Sequence, residues 1–288
     1  MAAGVRPAKL AGMMKRLALS AALLLACGEL QAHDFWIEPS TFHPLPGTVV
    51  RVGLRVGQNF IGDAVPRYSD GIAQFYIRQD GKDEPIEGAD GGDPAGFLRA
   101  SGEATAVIAY RSAGSPITLP AAEFEAYLHQ YGLERVIAER AKRGESGKSG
   151  QERFYRYAKA LLAGAKSSPD NKSSPDNKPS PATTRPLGFD YEIVPDDDPA
   201  AHLGPVRGRV LYQGKPLAGA LVLATPRDQP TGALRVRSDD QGAFSFALPR
   251  GGVWLITSVH MVRASFFSTE DWDSLWASLT FDRPGPPQ

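Results

Sequence analysis

Five histidines and one cysteine are the strongest transition-metal donors in these 288 residues, and one histidine stands apart by position. His33 follows Leu30-Gln31-Ala32, which reads as a cleavage site at the end of an export leader with a basic start at Lys15 and Arg16 and an apolar run from Leu17 to Ala26. Cleavage after Ala32 would make His33 the first residue of the mature chain. Its free α-amine and its imidazole Nδ1 can then close a six-membered chelate ring on a metal, which an internal histidine cannot do. A second anchor is His260, at the end of the run Gly252 to Met261, where alternation places it on the face of Trp254, Ile256 and Ser258. A histidine in such a place is more often a core or rim residue than a ligand. Paired with His33 it completes two imidazoles and an amine, a set that suits Cu(II) or Ni(II) and, with added oxygen or water, Co or Zn. Asp34 is a weaker candidate ligand, as is Met261, a soft donor; capping or solvating the first strand and filling the core are their ordinary roles.

The remaining histidines carry less. His43 sits in a turn, His129 on a helical surface and His202 in an acidic, proline-rich loop. Asp196-Asp197-Asp198 lacks the alternating ligands of a calcium loop and reads as surface solvation. A nucleophile elbow, a phosphate-cradling glycine loop and an HExxH pair are all missing, so the expectation is a protein that is not an enzyme.

The leader's apolar run is well short of the ~20 residues that cross a bilayer, so cleavage and a periplasmic location are expected, with no membrane span in the mature chain. Leu24-Leu25-Ala26-Cys27 offers a competing outcome, a lipoprotein anchored at Cys27. Loss of residues 1–32 removes Arg6, Lys9, Lys15, Arg16 and Glu29 and leaves 28 basic against 31 acidic residues, which gives no electrostatic case for nucleic acid. It also removes the sole cysteine, so any metal must be held by nitrogen and oxygen.

These donors need a β scaffold to position them. Val50, Val52, Leu54 and Val56 alternate with polar residues, and Ala73 to Gln79 and Thr105 to Arg111 extend the pattern into an antiparallel β domain over 33–118. Over 119–164 the period becomes helical. Phe124, Tyr127, Leu128 and Tyr131 form one stripe ended by Gly132, a second short helix carries Leu133, Val136 and Ile137, and a third is expected from Gln151 to Ala163. The segment 165–186, with Ser-Ser-Pro-Asp-Asn-Lys twice in succession, reads as a disordered linker. Short strands resume over 187–288 at the spacing of a β-sandwich. The fold class expected is therefore mainly β: an antiparallel domain with a helical insertion, then a sandwich.

The motifs His33-Asp34-Phe35-Trp36, Glu123 to Leu128, Arg153 to Lys159, Glu192 to Pro195, Gly214 to Ala220, Gly252 to Leu255 with Val259-His260-Met261, and Asp271 to Phe281 resemble an exported bacterial family of unknown function grouped with nickel and cobalt uptake components. The resemblance implies a periplasmic accessory protein that binds a divalent metal, nickel or cobalt before copper or zinc, and supports a membrane metal importer. It also implies a prealbumin-like second half, and places His33 and His260 in motifs. A different class remains open: a non-catalytic adhesion or glycan-binding module using Trp36, Trp254, Trp272 and Trp276 as stacking platforms.

Overall fold

Alternating apolar residues drive most of this chain into strands, and the strands that are apolar on both faces occupy the middle of the molecule. The computed structural model describes residues 33–102, 104–164, 181–201 and 204–285. The expected leader with Cys27, the repeat-bearing stretch 165–180 and His202 lie outside them, whereas the end of the expected linker forms a short helix α3 (Pro181–Thr184).

The central sheet has nine strands. It runs β14 (Leu234–Arg237), β13 (Leu221–Pro226), β16 (Gly252–Arg263), β17 (Trp272–Arg283), β9 (Gly150–Leu162), β7 (Ala106–Ser112), β4 (Ile72–Gln79) and β5 (Lys82–Pro85), with β8 (Ser115–Leu119) also pairing β9. Every neighbouring pair is antiparallel except β17 with β9, which run parallel in register Trp272↔Glu152 to Thr280↔Ala160. The sheet thus takes strands from both sides of the segment 165–186.

Two four-stranded sheets cover its two faces. On the front, β2 (Val49–Gln58) pairs with β1 (Asp34–Pro39), β3 (Ile61–Ala64) and β6 (Gly96–Arg99). Phe35, Ile37, Val52 and Leu54 from this layer pack on Ile108, Ala158 and Ala160. On the back, β11 (Val206–Tyr212) pairs with β10 (Tyr191–Pro195), β12 (Lys215–Pro216) and β15 (Ala243–Phe246). Here Tyr191, Ile193, Val210 and Phe244 meet Val107, Tyr157, Ile256, Ala277 and Phe281. Odd and even residues of β7 and β9 therefore enter different cores, as a period of two requires. The architecture is a mainly β, layered sandwich.

Two helices follow β8: α1 (Ala121–Gln130), which packs on the front through Tyr127 against Trp276, and α2 (Glu134–Lys142), which reaches the end of β16 through Glu139 and Arg263. α1 ends as its sequence dictates. Gly132 adopts φ +63°, Leu133 N–H reaches Leu128 C=O at 2.9 Å and Gly132 N–H reaches His129 C=O at 3.2 Å, the paired bonds of a glycine-terminated helix. The expected third helix is instead β9. Phe154, Tyr157, Ala158, Leu161 and Leu162 fit a helical stripe, but they also fit a central strand buried on both faces, where apolar residues run almost continuously from Tyr157 to Leu162. Pairing with β7 on one side and β17 on the other decides the matter.

Buried ionic groups tie the layers. Lys159 on β9 donates to Glu192 on β10 at 3.0 Å, both almost inaccessible to solvent, and Glu192 also accepts the N–H groups of Leu187 and Gly188. Asp198, expected on the surface, is buried, bonded to Thr105 and to the N–H of Ala200.

Candidate functional site

β1 lies against β9 and β17, and this contact brings the start of the described chain to a patch of buried polar groups. His33 precedes β1 and is half-buried; its Nδ1 is inaccessible to solvent and has no hydrogen-bond partner among the described residues. Burial first, and then the Arg156 guanidinium, hold its imidazole below the usual range, so the ring is neutral near pH 7. Arg156 is itself half-buried, and desolvation lowers its pKa to about 10; it lies over the rings of Phe35 and Phe154 at 4.9 and 4.8 Å.

Asp34 does not solvate its strand. It is 7% exposed, and burial pushes its carboxyl up to about 7 although Tyr131 donates to it at 3.4 Å. Tyr131 and Tyr127, one turn apart on α1, both pack on Trp276 of β17, with ring centroids 4.8 and 5.5 Å away. Beyond Tyr127 lies Glu152 of β9, a carboxylate with 0% exposure whose pKa burial raises to about 8. The hydroxyls of Ser274 and Tyr127 lie alongside and offset part of that cost, but neither oxygen of Glu152 reaches a partner with full hydrogen-bond geometry. Sequence pattern did not single out Glu152 or Arg156. The one signal was charge, at Glu152, Arg153, Arg156 and Lys159, in a segment otherwise fit for burial, and which of these charges face a core becomes readable only once that segment is known to be a strand.

His260 is elsewhere. Its ring packs against Tyr212 at 4.7 Å and Tyr191 at 5.7 Å, both from the back layer, and Ser258, two residues earlier, bonds the Tyr191 hydroxyl at 2.6 Å. Burial, and after it Arg135, lower the His260 pKa to about 4. His33 and His260 thus lie on opposite faces of the central sheet, and the structure does not bring them together. Met261 is buried on the face opposite to His260, because neighbours in a strand point apart, so it cannot share a shell with that histidine. His43 reaches Asp282 at 3.1 Å and is exposed, as is His129. Among the described residues no three His, Cys, Asp or Glu side chains converge as a ready-made metal set.

The tryptophans are also settled. Trp36, Trp254, Trp272 and Trp276 are 2, 1, 1 and 6% exposed. They are core, and no row of them offers a stacking platform.

Beside His260 a cleft of about 770 Å³ opens, lined by β16, α2 and the residues Leu217–Leu221. Arg237 bridges to Glu134 at 2.7 Å at one side, and Arg263 bridges to Glu139 and Glu145 at 3.2 and 2.5 Å at another.

Fold and site together define a mainly β layered protein with buried polar groups beneath its first strand. Residues 30–262 match the family model described as a domain of unknown function, DUF4198, and the chain belongs to that family. Neither the curated proteins nor the solved structures contain a match to it. No helix among the described residues is long and apolar enough to cross a membrane.

Proposed function

We propose that this protein is an exported, periplasmic, non-catalytic carrier of a divalent transition metal, nickel or cobalt before copper or zinc, that holds its ion at His33 and presents it to a membrane importer. The observation that carries the reading is the orphaned Nδ1 of His33. It is the ring atom that a chelate with an amino-terminal amine uses, burial favours the neutral ring, and no described residue competes for it. Cleavage after Ala32 would supply the amine. Nδ1 is covered, so binding would require the start of β1 to shift and admit the ion; the remaining coordination positions would then fall to water or to a recipient's side chains. Such an open shell suits cargo that must be released better than a structural ion, whose shell is closed. His260, on the other face, is outside this shell and contributes no ligand to the same ion. The nickel or cobalt preference and the importer rest on the family resemblance, and the adhesion or glycan-binding alternative loses its tryptophan platforms.

The test is intact-mass analysis of periplasmically purified protein, followed by competition titration with Ni²⁺, Co²⁺ and Cu²⁺. The expected result is a mature start at His33, an affinity reduced at least a hundredfold in His33→Ala and unchanged in His260→Ala. A start at Cys27, or full affinity in His33→Ala, overturns the proposal.

A further inference from the structure

The cleft beside His260 is bounded on one side by an unfinished sheet edge. β16 pairs with β17 along its whole length, from Gly252 to Arg263, but β13 accompanies it only from Trp254 to Ser258. From Val259 to Arg263 the other edge of β16 has no strand partner among the described residues, because the chain before Leu221 turns away towards Leu217. Alternate residues of this five-residue stretch, about 16 Å long at ~3.3 Å per residue, therefore present backbone N–H and C=O groups to the cleft. Helix α2 forms the facing wall through Leu133, Arg135 and Val136. A strand edge facing a helix across a groove is a template for one more strand.

The side chains specify what that strand carries. The His260 imidazole points into the groove and makes no hydrogen bond among the described residues, so one ring nitrogen is free to donate and the other to accept. Arg237 and Arg263 are engaged by Glu134 and Glu139, whereas Arg135 is exposed and has no carboxylate partner among the described residues. Leu217, Leu221, Val136 and Met261 supply apolar contact between them.

We propose that this groove binds an extended acidic peptide segment of a partner protein, added as a strand to Val259–Arg263, with a carboxylate of the peptide at Arg135 and a polar group at His260. The site is independent of metal at His33. The probe is an acetylated heptapeptide alternating threonine and valine about a central glutamate, compared with versions carrying a central lysine or a central proline. Amide exchange and ¹H–¹⁵N spectra of the leaderless protein read the outcome. The expected result is slowed exchange at alternate residues of Val259–Arg263, shifts in α2, and loss of binding for the proline version, which lacks the N–H. Arg135→Glu, an exposed substitution that leaves the fold intact, should weaken the glutamate peptide about tenfold and reverse the preference over lysine. No binding at millimolar peptide, binding without protection of these amides, or an unchanged preference in Arg135→Glu overturns the proposal.

Discussion

At the residue scale the informative groups are those buried without a partner of full hydrogen-bond geometry among the described residues. Glu152 shows why this matters for stability. Its folded pKa, about 8, lies above its ordinary value of 4.5, so between these limits the folded state holds a proton that the unfolded state has released. Its stabilising contribution is complete below pH 4.5 and is lost as pH rises through 8. Glu152→Gln, which keeps the shape and cannot ionise, should therefore flatten the fall in Tm between pH 5 and pH 9. The melting point at pH 9 should exceed that of the wild type by several degrees, at about 2–4 °C per kcal/mol for a chain of this size; equal slopes by calorimetry would contradict the assignment. For His33 the sign is set by competition with protons. An amino-terminal amine of pKa about 7.7–8.0 predicts that metal affinity falls as pH drops from 8 to 6, about tenfold per unit, and titrations at three pH values check it.

At the scale of elements, β9 carries much of the argument. It is the strand that joins the two halves of the central sheet, and it presents Arg156 and Glu152 to the front and Lys159 to the back. Lys159→Met leaves Glu192 as a buried carboxylate without its cation, which should cost about 3–5 kcal/mol in urea unfolding. Adding Glu192→Gln to that variant should restore part of the loss, because it removes the uncompensated charge while the amide oxygen still accepts from one of the two N–H groups, of Leu187 or Gly188, that the carboxylate holds on separate oxygens. A double variant no more stable than the single one would show that the pair stabilises by packing and not by compensation of charge. The helical reading of 151–163 failed for a physical reason: a strand buried on both faces loses the alternation that marks a strand, and its apolar residues also satisfy a spacing of three and four. Val206–Tyr212 and Leu234–Arg237, with one face less covered, keep the alternation that marks a strand.

At the scale of the whole molecule, the parallel contact of β17 with β9 makes the residues on either side of 165–186 depend on one another. Unfolding should accordingly be a single cooperative transition. Far-ultraviolet circular dichroism and tryptophan fluorescence, reporting from Trp36 in the front layer and Trp254, Trp272 and Trp276 in the central sheet, should give coincident denaturation curves. Two separated transitions would indicate halves that fold alone.

The sequence by itself determined that the protein is mainly β, where most strands and the helices α1 and α2 fall, and that His33 and His260 are its notable histidines. These are local properties, carried by periodicity, turn residues and position relative to an expected leader. Only the tertiary structure decided which face each side chain occupies. Tyr191 and Tyr212 take His260 to the back of the central sheet, while β1 and Arg156 keep His33 at the front. It also decided that the tryptophans are core, that Glu152 is a buried carboxylate, and that β16 outruns β13 to leave an open edge. Each of these depends on pairing between strands far apart in sequence, and the alternation of a single strand says nothing about which layer will come to cover it.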